Sequence, residues 1–210
     1  MTIADRLSSS LGERSQMPNK ELARDVVSSR DQNALHELRQ LISAKENTDV
    51  VGDALKVVEV MGELDSEFTK DAIAEILPLL HHKSNKIQWR AMSALSTIAS
   101  HHLDLLISRV PEIIDIMNAG TVITKDHGVK ILLVLYTRQD FREAISHLLN
   151  EQILLAPDNQ LGQYAEKWSQ IIAKEHVDML IKTLEIRAVE LYSPSHQKRI
   201  ARVLKKLTKL

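Results

Sequence analysis

Cysteine is absent from this chain, which removes disulfide staples, iron–sulfur clusters, thiol nucleophiles and the commonest structural zinc ligand. Glycine and proline are scarce, at six and five residues, and leave little material for long loops. Aromatic residues make up 3%, so aliphatic side chains must carry the burial, which suits helix-on-helix packing. No apolar run approaches the roughly 18 residues of a membrane-spanning helix. The opening stretch MTIADRLSSSLGER has neither the basic nor the apolar part of an export signal, and a cytoplasmic protein is the expectation. A net charge of −1 argues against a general polyanion binder. No nucleophile elbow, phosphate-binding glycine loop or His-Glu-x-x-His zinc motif occurs, so neither an enzyme nor a cofactor is expected.

What is present is helical periodicity. Over residues 84–118, Ile87, Met92, Leu95 and Ile98 recur on one face with Ala91, Ala94 and Ala99. Beyond the His101-His102 turn, Leu103, Leu106, Ile107, Val110, Ile113, Ile114 and Met117 continue the period. Gly120 closes the segment, and Pro111 predicts a bend in the second helix. The string Ala91–Leu95 has counterparts beginning at Ala54, Val129, Ala165 and Ile200, at offsets of 37, 38, 36 and 35 residues. The strings 73–80, 109–117, 141–149 and 177–191 supply the second helix of each unit. Two helical patterns recurring at such a period describe an α-solenoid, which spreads its core along its length.

The strings QWRAMSALSTIA and LISRVPEIIDIM resemble HEAT repeats, helical hairpins whose first helix carries small and aliphatic residues and whose second often has an early proline. The resemblance covers roughly residues 48–210 and extends to small prokaryotic HEAT-like proteins. It implies an all-α fold, a right-handed α-α superhelix of about four hairpins with an N-terminal cap and a C-terminal helix. The Asp and Arg that often pair between HEAT helices are suggested by Asp104 with Arg109 and by Asp65 with Lys70. In this division residues 1–19 form an arm or short helix and 20–210 a single solenoid domain. The cap spans 20–47, the repeats span about 48–82, 84–118, 121–156 and 157–192, and a basic helix covers 194–210. Asp31 and Thr48 are placed as helix caps, Asp140 with Glu143 as a capping box, and Ser193-Pro194 as a helix start.

Charge is unevenly distributed. Residues 49–75 hold eight acids against Lys56 and Lys70, a net of −6, whereas residues 193–210 hold six cations and no acid. Those cations, Lys198, Arg199, Arg202, Lys205, Lys206 and Lys209, are the candidate partner-binding residues, set against a plain capping helix whose lysines keep it soluble. Aligning the repeats places Asp53 beside Arg90 and sets Asp126 and His127 near Trp89, a candidate polar groove with an aromatic floor; packing under an Asp–Arg bridge is the plainer account. Trp168 aligns with Ala94 and reads as core. The pairs His81-His82 and His101-His102 lie at opposite ends of one helix, roughly 25 Å apart at the helical rise, and read as turn histidines without a metal. The functional expectation is a non-catalytic scaffold for a protein partner. The alternatives are nucleic-acid binding through the basic helix and self-association of oppositely charged ends. The first requires Lys125, Lys130, Arg138, Arg142, Lys167, Lys174, Lys182 and Arg187 to share a face.

Overall fold

The periodicity becomes, in a computed structural model that describes residues 2–44 and 47–210, thirteen α-helices joined by short 3-10 turns, with no β-strand among the described residues. They are α1 (Met17–Ser29), α2 (Gln32–Ala44), α3 (Thr48–Leu64), α4 (Ser66–Thr69), α5 (Ile73–Ile76), α6 (Asn85–Ile98), α7 (Leu103–Ser108), α8 (Val110–Ala119), α9 (Val122–Leu135), α10 (Arg142–Leu154), α11 (Asp158–Trp168), α12 (Val177–Glu190) and α13 (Pro194–Leu207). The helices gather into two units, residues 1–128 and 129–210, with the boundary inside α9.

Unit 1 is built around α3, which packs against α1, α2, α4 and α6. Five valines give this helix modest intrinsic propensity, and burial compensates. Val51, Leu55, Val57, Val58 and Met61 are almost inaccessible, each contributing on the order of 1.5–3 kcal/mol. Gly62 admits α6 closely, since a Cβ there would lie 2.1 Å from Thr97 Oγ1. The second helix of the first repeat is broken into α4, α5 and 3-10 segments at Lys70–Ala72 and Leu77–His81. Pro78 sits in the last of these, where it can supply no N–H and its ring disfavours a regular helix. The bend expected near Pro111 is present as the break between α7 and α8 at Arg109.

The cap of α3 is Asn47, whose side chain accepts from Asp49 N and Val50 N, one residue before the expected Thr48. Asp31 caps α2 through Asn33 N and Ala34 N as expected. The capping box at Asp140 and Glu143 does not form: α10 begins after Phe141, Asp140 pairs with Arg138, and Glu143 reaches His176 and His147. The Asp65–Lys70 suggestion is replaced by other partners: Asp65 caps α4 and meets Arg30, and Lys70 pairs with Glu67. Arg109 of the other pair meets Glu112.

In unit 2, α10 packs on α12, α11 on α13, and α12 on α13. Trp168, fully buried as expected for core, meets the Tyr136 ring edge-on at 5.8 Å. Hydrogen bonds tie α12 to α10 at a constant separation of 33 residues. His176 Nε2 meets Glu143 Oε2 at 2.8 Å, Thr183 Oγ1 donates to Asn150 Oδ1 at 2.8 Å, and Arg187 Nη1 donates to Leu154 O at 2.7 Å. α13 starts where Ser193-Pro194 predicts, with Ile200, Val203 and Leu207 buried.

Candidate functional site

The six cations of the C-terminal stretch fall into two sets. Arg199 and Lys206, seven residues apart, face α11. Arg199 forks onto Glu166, with Nε to Oε1 at 2.7 Å and Nη2 to Oε2 at 2.5 Å, and its side chain lies over Gly162, where a Cβ would come within 2.5 Å of Arg199 Cδ. Lys206 Nζ donates to Ser169 O at 3.3 Å, beyond the C-terminus of α11. The charge-assisted fork holds the Glu166 carboxyl below its ordinary range. Arg199 therefore fastens the helix, and Lys206, itself exposed, adds one weaker bond a turn or two further on. Lys198, Arg202, Lys205 and Lys209 recur at intervals of four, three and four residues, occupy one line, and are all exposed. A shallow cavity of about 170 Å³ lies where Arg202 and Lys206 approach Glu166 and Ser169.

The second candidate is overlaid by a segment that its residue pattern did not connect to it. Asp53 is 4% exposed, and its carboxylate accepts from Ser9 N at 2.7 Å and from Gln16 Nε2 at 3.4 Å. Arg90 is 6% exposed, stacks on the Trp89 ring at 4.6 Å, and donates through Nη2 to Gln16 Oε1 at 3.0 Å. Gln16 thus bridges Asp53 and Arg90. Burial lowers the Arg90 pKa, with the nearby Glu59 and Asp53 charges acting the other way. His127 Nδ1 meets Ser96 Oγ at 3.1 Å, on the α6 to α9 side of unit 1, and Asp126 precedes it in α9. The N-terminal segment is held by Leu7, which is fully buried, and by Ser8 N donating to Asn19 Oδ1 at 2.9 Å. A cavity of about 350 Å³ remains beside it, bordered by Ser9, Gln16, Asp53 and Lys86.

The histidine pairs are occupied by protein groups. His81 meets Glu112 and His101 meets Ser66 and Glu67, while His82 Nδ1 accepts from Ser84 N and His102 lies against Lys70 O. No group of three metal-ligating side chains occurs among the described residues.

Sequence reasoning missed a buried relay in unit 2. Tyr136 hydroxyl accepts from Ala173 N at 2.8 Å and lies 2.7 Å from His176 Nδ1, whose other nitrogen meets Glu143. Burial raises the Tyr136 pKa. The relay joins α9, α10 and the turn before α12, and its residues are 33 and 40 apart, so only the α10–α12 register could have revealed it.

The comparisons bear on the fold. An engineered protein solved by a structural genomics consortium superposes with a TM-score of 0.64 at 15% identity, covering 100% of this chain and 98% of that one. A designed armadillo repeat protein superposes with a TM-score of 0.62 at 13% identity, covering 98% of each chain. The fold is a HEAT/armadillo-like helical repeat. No protein-family model matches the chain, and no curated protein matches it. No helix among the described residues is long and apolar enough to cross a membrane.

Proposed function

We propose that this helical repeat is a non-catalytic scaffold, cytoplasmic in location, that binds an acidic protein partner along α13. The observation that carries the reading is the division of labour on that helix. Arg199 anchors it to α11 and Lys206 adds a weaker bond, while Lys198, Arg202, Lys205 and Lys209 form an exposed line. Such a line raises the encounter rate with an acidic partner and sets its orientation more than it sets affinity. A nucleic-acid track draws less support, because cations it would need are engaged within unit 2. Arg187 is buried among carbonyls, Arg138 is paired with Asp140, and Arg142 lies over the Tyr136 ring.

Affinity capture from the native lysate with wild type and with the Lys198→Gln, Arg202→Gln, Lys205→Gln, Lys209→Gln variant tests the reading. A nuclease-resistant acidic protein retained by wild type and lost by the variant is the expected result. Loss on nuclease treatment would transfer the stripe to nucleic acid. Identical captures would reduce α13 to a capping helix.

A further inference from the structure

Unit 2 exposes an apolar patch on the outer side of α10 and α12. Leu154 is 41% exposed, Leu155 62%, Ile186 57%, Val189 89% and Tyr192 95%. The 33-residue ladder sets the C-terminal ends of α10 and α12, which carry these side chains, side by side. Leu154 lies one turn beyond Asn150, which accepts from Thr183 of α12, and Ile186 lies beside Arg187 on the exposed flank of the line that bonds to α10. Arg187 then fixes the ends, its guanidinium donating to the carbonyls of Leu154 and Ala156. Val189, three residues beyond Ile186 in α12, continues the exposed side chains, with Leu155 and Tyr192 just past the ends of α10 and α12. Contiguous exposed aliphatic and tyrosine side chains mark binding surfaces more often than ordinary surface.

The rim of this patch has the sign opposite to that of α13. Glu151 of α10 and Glu185 of α12 are exposed, while Glu190 is paired with Arg187. Lys182 is the one exposed cation of α12, because Arg187 is turned inward. An acidic partner suited to α13 is therefore unsuited here.

We propose that the α10–α12 seam docks a basic amphipathic helix of a protein partner. Leucine-type side chains at three- and four-residue spacing would seat on Leu154, Ile186 and Val189, and flanking lysines or arginines would meet Glu151 and Glu185. The apolar contacts supply affinity and the acids select the sign of the partner. An anionic bilayer offers the same apolar burial, but its surface charge opposes these glutamates.

The probe is a fluorescent helical peptide of leucine and lysine, about five turns long so that it is helical when bound, with its leucine–glutamate counterpart as control. Wild type should bind the first and not the second, with affinity falling as salt is added. Ile186→Ser with Val189→Ser, which removes the apolar contacts without adding charge, should weaken binding by about tenfold or more. These side chains are exposed, so circular dichroism should show the variant folded. The four-glutamine α13 variant should bind the peptide like wild type, which separates this surface from the α13 reading. Equal binding by the double variant, or equal binding of the two peptides, would overturn the proposal. So would cosedimentation of wild type with phosphatidylserine-containing vesicles that the double variant loses.

Discussion

Replacing Arg187 with leucine should be among the costliest single changes in unit 2. The residue is 7% exposed, and its guanidinium donates to Ile153 O at 3.3 Å, Leu154 O at 2.7 Å, Ala156 O at 2.8 Å and Asp158 Oδ1 at 3.1 Å. Glu190 Oε2 lies 2.9 Å from Nε without the alignment of a hydrogen bond. The carbonyls belong to the C-terminal end of α10, where a helix leaves acceptors without partners of its own. Ile153 and Ala156 are buried, so water cannot readily replace the lost donor there. Charge-assisted bonds to two such carbonyls are worth about 1.5–3 kcal/mol each. The Asp158 and Glu190 carboxylates are substantially exposed, and add at most about 1 kcal/mol. Leucine recovers part of this by burying its own apolar surface, leaving a net loss of about 3–5 kcal/mol. Trp168 is the tryptophan of unit 2 and Trp89 that of unit 1, so a Trp89→Phe background isolates unit 2 in urea titrations followed by fluorescence. At a slope of about 2 kcal/mol per molar urea, the midpoint should fall by about 2 M. A loss below about 1 kcal/mol would refute the claim that this guanidinium, in place of water, satisfies the end of α10.

Three further perturbations probe other parts of the molecule. Gly62→Ala brings a Cβ to 2.1 Å from Thr97 Oγ1 and 2.8 Å from Thr97 Cβ, and β-branched Thr97 has little freedom to yield. Unit 1 should lose about 1–2 kcal/mol by urea titration on Trp89 despite the gain in helix propensity, and Thr97→Ala should restore most of it. Tyr136→Phe strands Ala173 N–H and His176 Nδ1 and should cost unit 2 about 1–3 kcal/mol, read by Trp168 fluorescence. Because Arg199 holds the Glu166 carboxyl below its ordinary value near 4.5, the folded pKa lies under the unfolded one. The stability advantage of wild type over Glu166→Gln should therefore be complete above that range and fade as pH falls through the folded value. Paired urea titrations at about pH 7 and about pH 3 check this, and an advantage that persists in acid would contradict it.

The repeat was legible because helix pairs at a near-constant period need only an aliphatic stripe, and the counterparts of Ala91–Leu95 preserve one. Turn chemistry was legible where the residue has one dominant use, as at Asp31, Pro111 and Ser193-Pro194. It misled at Asp140 and Glu143, because an arginine two residues back and two histidines compete for carboxylates that a capping box would need. The anchor within the basic helix was hidden. Arg199 and Lys198 are adjacent cations in the sequence, and only Glu166, 33 residues away, tells them apart. The cover over Asp53 and Arg90 was hidden for a similar reason, since Ser9 and Gln16 lie 44 and 74 residues from the groups they satisfy.

Repetition creates a difficulty that the α10–α12 ladder answers. Aliphatic stripes are interchangeable, so a helix sliding by one turn against its neighbour would still bury leucine on leucine. The bonds at Glu143–His176, Asn150–Thr183 and Leu154–Arg187 are not interchangeable. A one-turn slip would carry the buried guanidinium away from the end of α10 toward its interior, where the carbonyls already have donors, and would leave His176 without its carboxylate. The three polar rungs act as a vernier: they add little to the depth of the native basin and much to the height of the misaligned ones.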